Sequence, residues 1–228
     1  MQLTPEDITA IWLSLKVALT ATSLSLPLGF AVAWLLVFKT LRGKVALEVL
    51  VNLPLTLPPV VIGYLLLLLL GKNGWLGHLL AASGIELIFT WKAAVIASSV
   101  VGFPLLVRSI RLGMESIDRE LIEASRSLGA SWRDSLLTIV LPLSLRGIIA
   151  GSSLMFARSL GEFGATIIVA GNIPGRTQTI PLAIYDYASS PSSTAMALSL
   201  CVVSVIISVA VLILHEVIGK QLDRSARL

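Results

Sequence analysis

One cysteine, Cys201, and two histidines, His78 and His215, are all the chain offers of the softer metal ligands. A lone cysteine inside an apolar run has no disulfide partner, and neither histidine has a second ligand at metal-binding spacing. Charge is scarce as well: 13% of the 228 residues are Asp, Glu, Lys or Arg, against about 25% in a soluble domain. The phosphate-cradling string G-x-x-x-x-G-K-[ST] is missing. Its nearest approach, Gly71-Lys72-Asn73, lacks both the upstream glycine and the hydroxyl residue. A nucleotide hydrolase built on that loop is therefore excluded. No H-E-x-x-H pair and no nucleophile–base set accompanies Glu162 or Asp186, which argues against an enzyme embedded in the membrane. The opening MQLTPEDITA is acidic, so no cleaved leader is expected.

Apolar residues are in excess. They make up 56% of the chain, and the mean hydropathy is +0.92. This composition indicates an all-α polytopic membrane protein. A spanning helix needs about 20 apolar residues, and five transmembrane helices are expected: Ile11–Phe38, Val45–Leu70, Trp91–Gly113, Gly147–Ala170 and Ala195–Val217. Thr4 suits the N-cap of the first, with Pro5 at its first position, and Lys16 can snorkel to the interface. No internal repeat or low-complexity linker is visible, so residues 1–228 read as a single transmembrane domain. The inverted repeats common in secondary transporters are not found.

Lys and Arg divide unevenly between the two sides. Lys39, Arg42, Lys44, Arg108, Arg111, Arg119, Arg126, Arg133, Arg146, Lys220, Arg224 and Arg227 fall on one side; Lys16, Lys72, Lys92 and Arg176 fall on the other. The first set places the loop over about 114–142 and the C-terminus in the cytoplasm, and the N-terminus outside. These cations cluster beside hydrophobic segments and form no continuous basic face. The net charge of +4 therefore points to membrane lipid and to no nucleic acid.

The long loop reads as two helices. Asp118 suits an N-cap, and Leu121, Ala124, Ser125 and Leu128 then share one side. Gly129 suits the left-handed position that ends a helix. Ser131 with Asp134 resembles a capping box, starting a second helix with Trp132, Leu136, Ile139 and Val140 that stops at Pro142. Small residues and one acid, Glu123, are presented as a shape able to enter a partner's groove.

Two further features lie within the spans. Pro54, Pro58 and Pro59 crowd the second segment, either kinking its start or lining a pathway. Arg158 and Glu162 sit four residues apart in the fourth segment, where a charge facing lipid is costly. Either they neutralise each other and tie helices together, or they line an anion route with the hydroxyls of Ser152, Ser153, Ser159 and Thr166.

These strings carry a resemblance. Glu123-Ala124-Ser125, Gly129, Ile139 and Leu141-Pro142 are similar in spacing to the cytoplasmic EAA loop of ABC-importer permeases, with Ser125 where the family usually has alanine. LPLTLPPVVIGYLLL, FARSLGEFGAT and NIPGRTQTIP extend the likeness over essentially the whole chain, which resembles the molybdate-transport permease family. ARSLGEFGA is shared with sulfate permeases, so sulfate, thiosulfate or tungstate remain alternative cargoes. The resemblance implies an ABC-importer permease fold in a bacterial or archaeal inner membrane and a homodimer. It also implies two copies of a cytoplasmic ATPase that carry the ATP and Mg, and an external oxyanion-binding protein. In that setting Glu123, Ala124, Ser125, Gly129, Ile139, Leu141 and Pro142 couple to the ATPase. The chain itself is then non-catalytic and has no cofactor of its own.

Overall fold

The computed structural model describes residues 3–84, 86–190 and 193–225, without the side chains of 80–82, 220 and 222–225. Of the cations counted above, Arg227 and the side chains of Lys220 and Arg224 lie outside the described residues. Every regular element among those described is a helix.

The first helix, α1, runs Pro5–Phe38. Thr4 Oγ1 accepts from the Asp7 N–H at 3.2 Å, and Asp7 Oδ2 accepts from the Thr4 N–H at 2.7 Å. This reciprocal cap nucleates the helix before Ile11, ahead of the apolar run. Lys16 therefore lies about three turns in, with its Nζ 3.9 Å from the centre of the Trp91 ring. Asp7 is only 1% exposed, and the Tyr187 hydroxyl donates to its Oδ1 at 3.0 Å.

The centre of the bundle is α5 (Trp91–Glu115), packed between α1 and α9 (Leu145–Leu160). Missing side chains allow the approach of α9. A Cβ on Gly147 would lie 2.6 Å from the Ser109 carbonyl oxygen, and one on Gly151 would lie 2.9 Å from that of Leu106. Between apolar helices in lipid, close backbone packing of this kind drives association.

Two expected spans are broken. Val45–Leu70 is α2 (Lys44–Thr56) followed by α3 (Pro59–Leu70). Pro58 forces Leu57 into extended backbone (ψ 141°), and neither proline donates a helical N–H. Gly147–Ala170 is also discontinuous: α9 ends at Leu160, and α10 (Gly164–Val169) starts after Gly161, Glu162 and Phe163. Arg111 ties α2 to α5, its Nη1 2.8 Å from Glu48 Oε1 and its Nε donating to Glu115 Oε1 at 2.7 Å.

Short α4 (Trp75–Ala82) follows α3, and α11 (Ile180–Ala188) and α12 (Thr194–Ser225) complete the chain after the loop elements described below. Among the described residues, four stretches are long and apolar enough to cross a bilayer: Pro5–Phe38, Pro59–Leu79, Trp91–Glu115 and Thr194–Gly219. A fifth crossing is open to Trp132–Leu143 with Leu145–Leu160, a pair bent by 62°. The five-helix expectation thus holds only with this bent pair taken as one span.

Candidate functional site: the α5–α9 loop and the paired helix breaks

The loop begins as its sequence dictates. Asp118 Oδ1 accepts from the Glu120 N–H at 3.0 Å and starts α6 (Arg119–Ser127). Gly129 ends it at φ +92°. The Gly129 N–H donates to the Arg126 carbonyl at 3.0 Å, and the Ala130 N–H to that of Ser125 at 3.1 Å, the two bonds of a Schellman closure. Ser131 then caps α7 (Trp132–Ser135), its Oγ accepting from the Asp134 N–H at 3.3 Å while Asp134 Oδ2 accepts from the Ser131 N–H at 3.0 Å.

The second arm does not stop at Pro142. It widens into a π turn, Leu136–Val140, and continues as α8 (Leu141–Leu143) before Ser144. Pro142 offers no N–H, and its ring would crowd the carbonyl four residues back in a regular helix. Widening the preceding turn relieves that conflict.

The loop is anchored by Trp132. Its ring lies 6.0 Å from that of Trp34 and 5.8 Å, edge-on, from that of Phe38. Ile139 is half-buried and packs on the same core, Leu141 is half-buried, and Pro142 is exposed. Ser125 does not point outward with its expected stripe. Its Oγ lies 2.8 Å from the Oγ of fully buried Ser135, locking α6 to α7. No spacing rule in the sequence signals Ser135.

Helix α6 has two faces. Leu121, Ala124 and Leu128 point outward, with Leu121 49% and Leu128 89% exposed. Arg119, Ile122, Glu123 and Arg126, at offsets of three, four and seven, occupy the opposite side. They line a cavity of about 710 Å³ together with Lys39, Arg42 and Lys44 of the α1–α2 turn. Glu123 is therefore exposed but belongs to a different face from Ala124 and Leu128. Lys72, Lys92 and Arg176 line a separate cavity of about 770 Å³.

The second constellation is the break after α9. Arg158 lies in the last turn of α9, where a cation complements the helix dipole. Its Nη1 is 2.7 Å from Glu162 Oε2. Glu162 sits in the break instead of on the helix, and its other oxygen, Oε1, accepts from the Ala165 N–H at 2.8 Å. One carboxylate thus closes α9 and opens α10. The Glu162 side chain is 1% exposed and that of Arg158 is 32% exposed.

The two breaks meet. A Cβ on Gly164 would lie 2.9 Å from Pro59 Cβ, and one on Gly63 would lie 2.8 Å from the Ala165 carbonyl oxygen. Pro58 and Pro59 therefore border the same region as Arg158 and Glu162. Ser159 and Thr166 are buried there, while Ser152 and Ser153 are half-buried further along α9.

Comparison with known proteins agrees with this architecture. The chain is 50% identical over 220 residues to the molybdenum transport system permease protein ModB of Haemophilus influenzae, covering 96% of each chain. It is 48% identical to the protein of the same name from Escherichia coli K12, again over 96% of each. Among solved structures, an inward-facing MetNI methionine ABC transporter shares the fold at a TM-score of 0.74 and 17% identity, over 94% of this chain and 95% of that one. A bacterial alginate ABC transporter, solved with an alginate pentasaccharide-bound periplasmic protein, gives 0.76 and 16% identity, over 96% and 80%. The family model for binding-protein-dependent transport system inner membrane components matches residues 25–224. Broken helices, a two-armed loop and near-full-length relatives lead to one assignment: the chain belongs to the binding-protein-dependent transport system inner membrane component family.

Proposed function

We propose that the chain is the membrane permease of an ATP-driven importer of a tetrahedral oxyanion, molybdate, acting as one of two identical copies. The observation that carries this reading is the likeness, at about half identity and over 96% of each chain, to two permeases named for molybdenum transport. ATP and Mg reside on two copies of a separate ATPase at the loop end, which is cytoplasmic. An oxyanion-binding protein delivers cargo at the opposite end, where α1 begins. Leu121, Ala124 and Leu128 form the surface that enters the ATPase, because they are exposed and small enough at Ala124 for close backbone approach. The Gly129 closure and the Ser125–Ser135 link keep the two arms rigid, so movement of the ATPase is passed to α9 through α7 and the π turn.

In this reading Glu162 holds the α9–α10 break together, since both of its oxygens are engaged. A pathway role for Arg158 is favoured by its partial exposure at the break whose Gly164 meets Pro59. The test is uptake into proteoliposomes containing the chain, its ATPase and its binding protein. Labelled molybdate should accumulate only with ATP, and a large excess of sulfate should compete poorly. ATP-independent uptake would overturn the importer, and stronger competition by sulfate or tungstate would reassign the cargo.

A further inference from the structure

We propose that the basic cavity beneath α6 holds the phosphodiester headgroup of an acidic phospholipid, and so ties the loop to the membrane. Charge is the first observation. Lys39, Arg42 and Lys44 from the α1–α2 turn converge with Arg119 and Arg126 from α6, and the cavity they line contains one acid, Glu123. Among the described residues, no ion pair engages any of these five cations. Like charges gathered around one space repel each other, and a phosphate placed between them replaces repulsion with charge-assisted hydrogen bonds.

Position is the second observation. Trp34, Phe38 and Trp132 cluster beside the cavity, and Lys39 Nζ lies 5.2 Å from the centre of the Trp34 ring. Indoles and basic side chains at the end of a spanning helix mark the boundary between lipid and water. The third observation is what leaves the cavity. Starting one residue after Lys44, Val45, Val49 and Leu53 form an exposed apolar stripe along α2, at 73%, 59% and 41% exposure. An acyl chain can follow that stripe while its phosphate stays among the cations. A free phosphate would use the charge alone; the aromatic border and the stripe select a lipid.

The outward face of α6 points away from this cavity. Lipid below and ATPase outside therefore occupy opposite sides of one short helix without competing. The inference rests on the proposed orientation only for the leaflet, here the cytoplasmic one, that supplies the lipid.

The test reads lipid directly. The complete transporter is placed in nanodiscs of phosphatidylcholine with a minority of phosphatidylglycerol, released, and examined by native mass spectrometry for lipid retained per permease. Wild type should keep phosphatidylglycerol in preference to phosphatidylcholine. The double substitution Arg42→Gln with Lys44→Gln should lower that retention roughly 10- to 30-fold, because each basic side chain at a membrane surface contributes separately. Arg133→Gln, outside the cavity, should retain wild-type levels. Equal retention by wild type and the double variant would overturn the site. Displacement by excess inorganic phosphate would overturn the lipid in favour of a small anion. Retention needs neither ATP nor molybdate, so a failure of oxyanion uptake leaves this measurement standing, and the reverse also holds.

Discussion

Ser125 Oγ and Ser135 Oγ lie 2.8 Å apart, joining the two arms of the loop across ten residues of chain. Ser135 also has the Ser131 carbonyl within reach at 3.3 Å. Replacing Ser125 by alanine therefore leaves the buried hydroxyl a second acceptor, and the loss should stay near the usual about 1 kcal/mol of one hydrogen bond. Ser135→Val places a larger, branched side chain at a site with no exposure and should cost more, about 1–3 kcal/mol. Thermal unfolding of the purified permease compares the two, and a larger shift for Ser125→Ala would contradict the arrangement.

Gly129 tests backbone conformation alone. A Cβ there would meet nothing within 4 Å, yet φ is +92°. Gly129→Val should thus cost roughly 1–2 kcal/mol through strain, and Gly129→Asn less, because asparagine tolerates the left-handed region. The amount of ATPase that copurifies should fall in the same order. Equal ATPase content in all three proteins would remove the loop from the docking surface.

The contact between α5 and α9 should tolerate no side chain at Gly147. With the Ser109 carbonyl 2.6 Å from the position of a Cβ, Gly147→Val must push the helices apart. The expected destabilisation is at least about 1–3 kcal/mol, the usual range for overpacking. Gly219→Val, where a Cβ meets nothing within 4 Å, is the matched control. Similar folded yields for the two variants would refute the packing argument.

Arg158 and Glu162 should be coupled. Glu162→Ala removes both the ion pair and the cap on α10, whereas Arg158→Ala leaves a buried carboxylate with its backbone donor alone. Arg158→Ala should cost about 3–5 kcal/mol because it strands a carboxylate that is 1% exposed. Glu162→Ala should strand its partner at less cost because Arg158 is 32% exposed, and the double variant should cost less than the sum. Recovered yield with normal uptake in the double variant assigns the pair to structure, while recovered yield with no uptake assigns Arg158 to the pathway. Additive losses in yield would deny the coupling.

Topology can be checked at two exposed positions. In a background lacking Cys201, Glu6→Cys and Arg133→Cys should react with an impermeant maleimide from opposite faces of sealed vesicles. Labelling from one face only would overturn the orientation proposed from the distribution of Lys and Arg.

The parts legible in the sequence were those encoded by neighbours. Thr4 with Asp7, Asp118, Gly129, and Ser131 with Asp134 announce helix ends within a few residues of themselves, and each end lies where its capping group predicts. The break at Pro58 could be anticipated from two successive prolines, Pro58 and Pro59, whereas the single prolines Pro27, Pro54 and Pro104 stay inside continuous helices. The break after Leu160 is harder to read: ARSLGEFGA contains no proline, its local signals are Gly161, Gly164 and the bond from the Ala165 N–H to Glu162, and the close approach of Gly164 to Pro59 of α3 exists only in the fold. The same limit hid Ser135 and the basic cavity, since Arg42 and Arg126 become neighbours only when the chain folds back. The opposed directions of Glu123 and Ala124 follow from helical phase, but a linear motif groups them together.

The π turn at Leu136–Val140 has a geometric consequence for how force crosses the loop. A π turn accommodates one residue more than an α-helical turn, and one residue corresponds to about 100° of rotation about the helix axis. The wide turn takes up that extra residue, so the helix before it and the helix after it keep nearly the bearing that an uninterrupted α-helix one residue shorter would give them. The arm therefore carries Pro142 without turning, and its change of direction falls at Ser144 instead, where Trp132–Leu143 meets Leu145–Leu160 at 62°. Slack is absorbed in one place and the corner is made in another.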